Sequence, residues 1–275
     1  PLGVRFVLAT MGPAPAPEQR QAATEIPELI LEESQYRLEW MPESDLDVVR
    51  AGRWLLELEE RYGPDLIHLN GYAHGALEWQ APCLITAHSC VLSWWQAVKG
   101  EPAPQEWTIY ARRAEAGLNG SGLVIAPTKA MLSCLESIYG VLPKSKVIWN
   151  GRPAHRFTPA AKEEIIFGAG RLWDEAKNLT TLERIGASLE WPVVIAGEWR
   201  QPGGGGTPPE GGQYLGQLSA ASMAAQLGRA AIYALPARYE PFGLSVLEAG
   251  LAGCALVLGD IPSLHELWRD AALFV

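Results

Sequence analysis

Two textures of apolar and polar residues alternate along the chain. One is a short apolar run bounded by Gly, Pro, Asn or His, the pattern of a strand buried on both faces. The other is a longer segment whose apolar residues recur every three or four positions, the pattern of an amphipathic helix. Up to residue 150 these textures predict strands at 4–9, 29–33, 65–71, 82–88, 123–126 and 146–149, and helices after the first strand and at 45–62, 107–118 and 130–139. The helix at 45–62 is the most regular, with Val48, Ala51, Leu55, Leu58 and Tyr62 on one face and Glu57, Glu59, Glu60 and Arg61 between them.

Residues 153–162 are polar and punctuated by proline, and read as a linker. Beyond them the alternation restarts: strands at 165–171, 192–196, 230–235 and 255–258, and helices ending near 189 and spanning 220–229 and 244–252. The Gly/Pro-rich stretch 202–212 reads as a mobile loop. Strands alternating with helices predict parallel sheets covered on both faces, so the fold class is α/β, in two domains at 1–155 and 156–275.

Composition narrows the partners. A chain of 275 residues, 48% hydrophobic and 19% charged, can bury two cores. Its net charge of −9 and lack of any Lys/Arg run remove the counterion-release drive for nucleic acid. Cys83, Cys90, Cys134 and Cys254 form no CxxC pair and no zinc-type spacing, which points to a reduced, cytoplasmic setting. No transmembrane segment is expected, since no stretch approaches the roughly 18–20 apolar residues of a membrane span.

The chemistry concentrates at Arg238-Tyr239-Glu240-Pro241-Phe242-Gly243-Leu244-Ser245-Val246-Leu247-Glu248. A buried strand ends just before it and a short helix begins near Gly243. Glu240 therefore lies in the loop and Glu248 about two turns up the helix. Unpaired N–H groups at a helix start attract phosphate or sugar oxygens, and a glycine there lets a ligand approach the backbone. Taken alone, two such glutamates are equally well a capping acid and a surface acid.

Together with the Pro241-Phe242-Gly243 run, this stretch resembles the Glu-x7-Glu signature of glycosyltransferase family 4, retaining enzymes of the GT-B fold. The resemblance implies two Rossmann-like domains facing across a cleft, with a nucleotide diphosphate sugar as donor. It implies that Glu240 and the Phe242, Gly243 and Leu244 backbone contact the donor sugar, and that Glu248 holds the ribose. Gly170-Arg171-Leu172 and Lys177-Asn178-Leu179 match the family's diphosphate-binding arginine and lysine, which also stabilise the leaving group, so no metal or cofactor is expected. Asn150-Gly151 and Arg156-Phe157-Thr158-Pro159 match its crossover between domains.

Other residues are weaker candidates. His88 ends a strand where the family carries a histidine near the donor sugar, and is read with Glu240 as catalytic. Asn70 and Tyr72 are acceptor-side candidates; His68 and His74 beside them could line the same side, although an ordinary loop role is the commoner use of such histidines. The adjacent Trp94 and Trp95 could stack on an acceptor sugar or touch a lipid-linked acceptor, although packing is the commoner use of tryptophan. Asp45-Leu46-Asp47 has the form of a metal-binding DxD but sits at a helix's first turn, where acids complement the helix dipole.

The reading is a hexosyltransferase-type enzyme of carbohydrate biosynthesis, moving a sugar with retention and without metal onto an unidentified sugar, lipid-linked or small-molecule hydroxyl. Peripheral membrane contact is compatible with it. Compared with the family pattern, the chain starts at the second strand, without the first strand and Gly-rich loop, and stops before the last helices. A piece of a longer protein is thus expected, with weak turnover by itself and a sheet edge or face open to water. The rival readings are a nucleotide-sugar-binding fragment without turnover and a GT-B sugar-nucleotide epimerase.

Overall fold

The computed structural model describes residues 3–201, 205–206, 208–209 and 213–275, so most of the stretch 202–212 predicted as a mobile loop lies outside the described residues. In chain order the elements are β1 (Phe6–Thr10), α1 (Pro17–Thr24), β2 (Leu29–Glu33), α2 (Asp45–Tyr62), β3 (Ile67–Leu69), β4 (Cys83–Thr86), α3 (Val91–Lys99), α4 (Thr108–Gly120), β5 (Leu123–Ala126), α5 (Lys129–Tyr139) and β6 (Ser145–Val147). Then come β7 (Glu163–Ala169), α6 (Leu179–Gly186), β8 (Val193–Ala196), β9 (Gln213–Tyr214), α7 (Ala220–Arg229), β10 (Ala230–Leu235), α8 (Leu244–Leu251), β11 (Ala255–Leu258), α9 (Pro262–Trp268) and β12 (Ala272–Phe274). The chain is α/β, as the alternation predicts.

Two compact units result. One comprises Pro1–Ala87, Ala103–Ile125 and Tyr139–Lys146; the other comprises His88–Pro102, Ala126–Ile138 and Val147–Val275. In the first, β1 and β2 pair in parallel as a sheet of their own, and β3, β4, β5 and β6 form a second in that order. Helix α2 buries Val48, Ala51, Leu55 and Leu58, the stripe read from the sequence. Asp45 and Asp47 lie in its first turn: Asp45 Oδ1 accepts from Arg113 at 2.8 Å and Asp47 Oδ2 from the Arg37 amide at 3.1 Å. Buried Glu59 is satisfied by the amides of Gln80 and Ala81, each 2.9 Å from its Oε1. Phe6 and Leu8, alternate residues of β1, are exposed.

The second unit is built on a six-stranded sheet in the order β12-β11-β10-β7-β8-β9, with every neighbouring pair parallel. Strands covered on both faces need unbroken apolar runs, and β8 and β10 supply them. Phe167, Ile195, Tyr233, Leu235, Val246, Leu258 and Leu264 pack into one core with almost no exposure. The chain runs from β7 outward through β8 to β9, then returns to place β10 on the other side of β7. Strand order therefore reverses between β7 and β10, and the carboxyl ends at such a reversal are the usual ligand position in open parallel sheets.

The loop after β7 is fixed from below. Gly197, just past β8, sits at φ 145°, and a Cβ there would stand 1.6 Å from the Gly170 carbonyl oxygen. Only glycine lets these two loops approach so closely.

The β10–α8 loop is fixed on its other side by α3 and α5, which lie in the same unit. The Tyr239 hydroxyl accepts the Cys90 amide at 3.0 Å and shares a hydrogen bond with Ser93 Oγ at 2.7 Å, and burial pushes its phenol pKa up. Buried Thr128 donates from Oγ1 to the Pro241 carbonyl at 2.9 Å. Loss of the Tyr239 hydroxyl leaves the Cys90 N–H and Ser93 hydroxyl without this partner, so Tyr239→Phe is expected to cost about 1–3 kcal/mol. Urea denaturation measures this, and an unchanged midpoint and slope would show that the tether contributes nothing to stability.

Candidate functional site

Backbone pairing explains why the loops after β7 and β10 meet. The Ala176 carbonyl accepts the Arg238 amide at 2.8 Å, and Asn178 Nδ2 donates to the Pro236 carbonyl at 3.0 Å. Asn178 itself takes a left-handed conformation, φ 53°, which turns the chain into α6 and leaves Lys177 facing the neighbouring loop. The Lys177 stem lies along Gly170, 3.3 Å from the position a Cβ would take there.

Lys177 and Glu240 then pair directly. Nζ donates to Glu240 Oε2 at 2.6 Å, with side chains 17% and 14% exposed. The other oxygen of Glu240 turns to the start of α8, where Oε1 accepts the Gly243 amide at 2.9 Å and the Phe242 amide at 3.4 Å. Gly243 is the N-cap of α8 at φ 85°, a conformation that disfavours any other residue. A single carboxylate thus caps a helix start and neutralises a lysine. Leu244 is the first helical residue.

This arrangement refines the sequence reading. Glu240 is a capping acid, as the simplest reading of the pair allowed, and the amides of Phe242 and Gly243 are engaged by its carboxylate. Anything anionic that approaches these amides competes with that carboxylate for the same donors. The attraction for such a group comes from the α8 N-terminus and the Lys177 ammonium together.

Glu248 is no free surface acid. Its side chain is 15% exposed, and its Oε1 accepts from Arg152 Nε at 2.6 Å. Arg152 comes from the segment between β6 and β7, 96 residues away in sequence, and carries no signal that sequence reading could use.

Arg171 stands on the same loop as Lys177, with its side chain 57% exposed. Its Nη2 donates to Asp174 Oδ2 at 2.7 Å, and its guanidinium lies 5.1 Å from the centre of the Trp173 ring. Asp174 is buried, and its Oδ1 accepts from the Ala176 amide and from Trp94 Nε1, each at 3.1 Å. Trp94 therefore spends its indole N–H on this loop and packs edge-on to Trp95, with ring centres 5.8 Å apart. Lys99 adds an ion pair to Glu175 at 2.7 Å.

The remaining candidates are dispersed. His88 is exposed and precedes Cys90, whose amide Tyr239 holds, so it stands two residues from an anchor of the Glu240 loop. In the first unit Asn70 is exposed, whereas Tyr72 is 3% exposed and its amide donates to Glu39 Oε1 at 2.9 Å, which makes its ring part of the core. His68 Nε2 lies 2.7 Å from Thr86 Oγ1, and buried His74 donates from Nε2 to the Val48 carbonyl at 2.9 Å. Among the described residues no group of three or more His, Cys, Asp or Glu could hold a metal ion, and no helix is long and apolar enough to cross a membrane.

Comparison with known proteins bears on the same elements. Residues 208–274, which carry β9 to β12 and the Glu240 loop, match the family described as Glycosyl transferases group 1. A stretch of 54 residues is 44% identical to glycogen synthase of Mycobacterium tuberculosis, but it amounts to 20% of this chain and 13% of that protein's length. Among solved structures, sucrose-phosphate synthase (tll1590) from Thermosynechococcus elongatus superposes with a TM-score of 0.74 at 19% identity, over 91% of this chain and 71% of that one. Anabaena Alr3699/HepE in complex with UDP-glucose superposes at 0.70 and 17% identity, over 94% and 75% of the two chains. These likenesses identify the fold as GT-B. Residues 1–156, more than half of the chain, match the model described as Glycosyltransferase Family 4, and the chain belongs to that family.

Proposed function

We propose that the protein transfers a sugar from a nucleotide diphosphate donor to an acceptor hydroxyl, with retention at the anomeric carbon and without a metal ion. The observation that carries this reading is the Lys177–Glu240–Gly243 cluster at the reversal of strand order, where an ammonium and a helix N-terminus converge. The neighbouring structure of Alr3699/HepE holds UDP-glucose, which supports the same donor class here.

In this reading the diphosphate lies against Lys177 and Arg171, and Glu248 takes the ribose hydroxyls. As the glycosidic bond to the diphosphate breaks, negative charge builds on the departing phosphate oxygen. Two fixed cations stabilise that charge most where water is excluded, the service a divalent ion provides in other transferases. Glu240 exchanges part of its bonding with the Gly243 amide for contact with the donor sugar, aided by the Phe242, Gly243 and Leu244 backbone. A carboxylate already bonded to an ammonium and two amides is a weak nucleophile, so its role is to hold the sugar rather than to attack it. His88 is assigned a place beside the sugar, and the acceptor is left as any hydroxyl-bearing molecule.

Lys177→Ala removes one charge-assisted hydrogen bond to the diphosphate and leaves Glu240 facing it unneutralised. With such a bond contributing about 1.5–3 kcal/mol, UDP-glucose binding should weaken about 10- to 100-fold with the fold intact. Calorimetry giving wild-type affinity for the variant would contradict the clamp. Binding and transfer should also survive EDTA, followed by NMR of the sugar product, which reports the anomeric configuration as well. A strict requirement for manganese or magnesium, or an inverted product, would overturn that part of the reading.

A further inference from the structure

The ion pair between Arg152 and Glu248 joins a loop residue to a helix residue, and its geometry is one-sided. Arg152 Nε meets only Oε1, at 2.6 Å, while Oε2 of Glu248 has no partner among the described residues. The Glu248 carboxylate is mostly buried at 15% exposure, and the Arg152 side chain is 39% exposed.

A glutamate on a helix flank ordinarily samples several rotamers, and ordering it for a ligand costs entropy. Here one oxygen is already fixed, so the plane of the carboxylate is set before any ligand arrives. Such a group presents its open oxygen in one direction, and that oxygen keeps two acceptor sites, enough for both hydroxyls of a vicinal pair. Arginine does this better than lysine because its donors lie in a rigid plane.

We infer that Arg152 is a positioning residue for Glu248 and sets the preference of the site for a ribonucleotide over a 2′-deoxyribonucleotide. The inference rests on the nucleotide-sugar reading above and adds to it a residue that the family signature does not contain.

The test is calorimetric titration of the wild type, Arg152→Gln, Arg152→Lys, Glu248→Gln and the Arg152→Gln/Glu248→Gln double variant with UDP and with 2′-deoxy-UDP. Circular dichroism confirms that each is folded. The wild type should prefer UDP. Arg152→Gln should reduce that preference about fivefold, the size of a partly exposed ion pair's contribution, while 2′-deoxy-UDP binding stays near wild type. Arg152→Lys should restore part of the preference. The double variant should be no less selective than Glu248→Gln, because the arginine acts through the glutamate.

A preference unchanged in Arg152→Gln, or equal weakening of both nucleotides, overturns the inference and leaves the nucleotide reading standing. A wild type that binds UDP and 2′-deoxy-UDP alike overturns the inference together with the ribose role of Glu248, and leaves the diphosphate reading at Lys177 and Arg171 standing. A wild type that binds neither overturns both.

Discussion

The charge pair between Lys177 and Glu240 is the interaction on which the candidate site depends. It spans the two loops that leave the sheet where strand order reverses, and it ends on the first amides of α8. A mostly buried ammonium or carboxylate is costly without a partner, and here each supplies the other. The rest of the second unit holds this pair in register. Gly197 lets the β7 and β8 loops close up, Ala176 accepts the Arg238 amide, and Tyr239 and Thr128 fasten the Glu240 loop to α3 and α5.

The charges around the site follow one pattern. Lys177, Arg171 and Arg152 face Glu240, Asp174 and Glu248 respectively, each at 2.6 or 2.7 Å. A chain with a net charge of −9 thereby keeps three cations close to one helix and one loop, each held by a carboxylate with little exposure. Partnered cations are ordered before a ligand arrives, which lowers the cost of binding one. Their carboxylates also oppose an anion, so any diphosphate that binds must outbid them. The balance favours a ligand with several phosphate oxygens, which can engage both cations and the helix start together.

Much of the fold was legible because its strands are buried on both faces. The runs at Ala230–Leu235, Ala255–Leu258 and Leu123–Ala126 stand out from the turn residues beside them, and their observed ends coincide with those predicted. Helix α2 was legible from its spacing. By contrast α3, with the sequence Val91-Leu92-Ser93-Trp94-Trp95-Gln96-Ala97-Val98-Lys99, spans nine residues with only Ser93, Gln96 and Lys99 to mark its polar side, and its helical character was missed. Helix α9 opens on Pro262, which reads as a breaker although proline suits the first helical turn, and β9 and β12 are too short to leave a pattern. The site divides in the same way. Glu240, Glu248, Arg171 and Lys177 belong to a local signature, while their partners Arg152 and Asp174, and the tether from Tyr239 to Cys90, depend on chain folding that no spacing encodes. Tyr72 shows the opposite error, since a residue beside a strand-end turn reads as accessible and is in fact part of the core.

The central claim is that a nucleotide diphosphate binds at the start of α8 against Lys177. Its most direct test is an NMR titration of 15N-labelled protein with UDP, following the amides of Phe242, Gly243 and Leu244 and the Lys177 side chain. These signals should move together and saturate at one concentration, as Glu240 yields its place on the Gly243 amide to phosphate. Saturable shifts confined to other parts of the chain, with Gly243 and Lys177 unmoved, would contradict the claim.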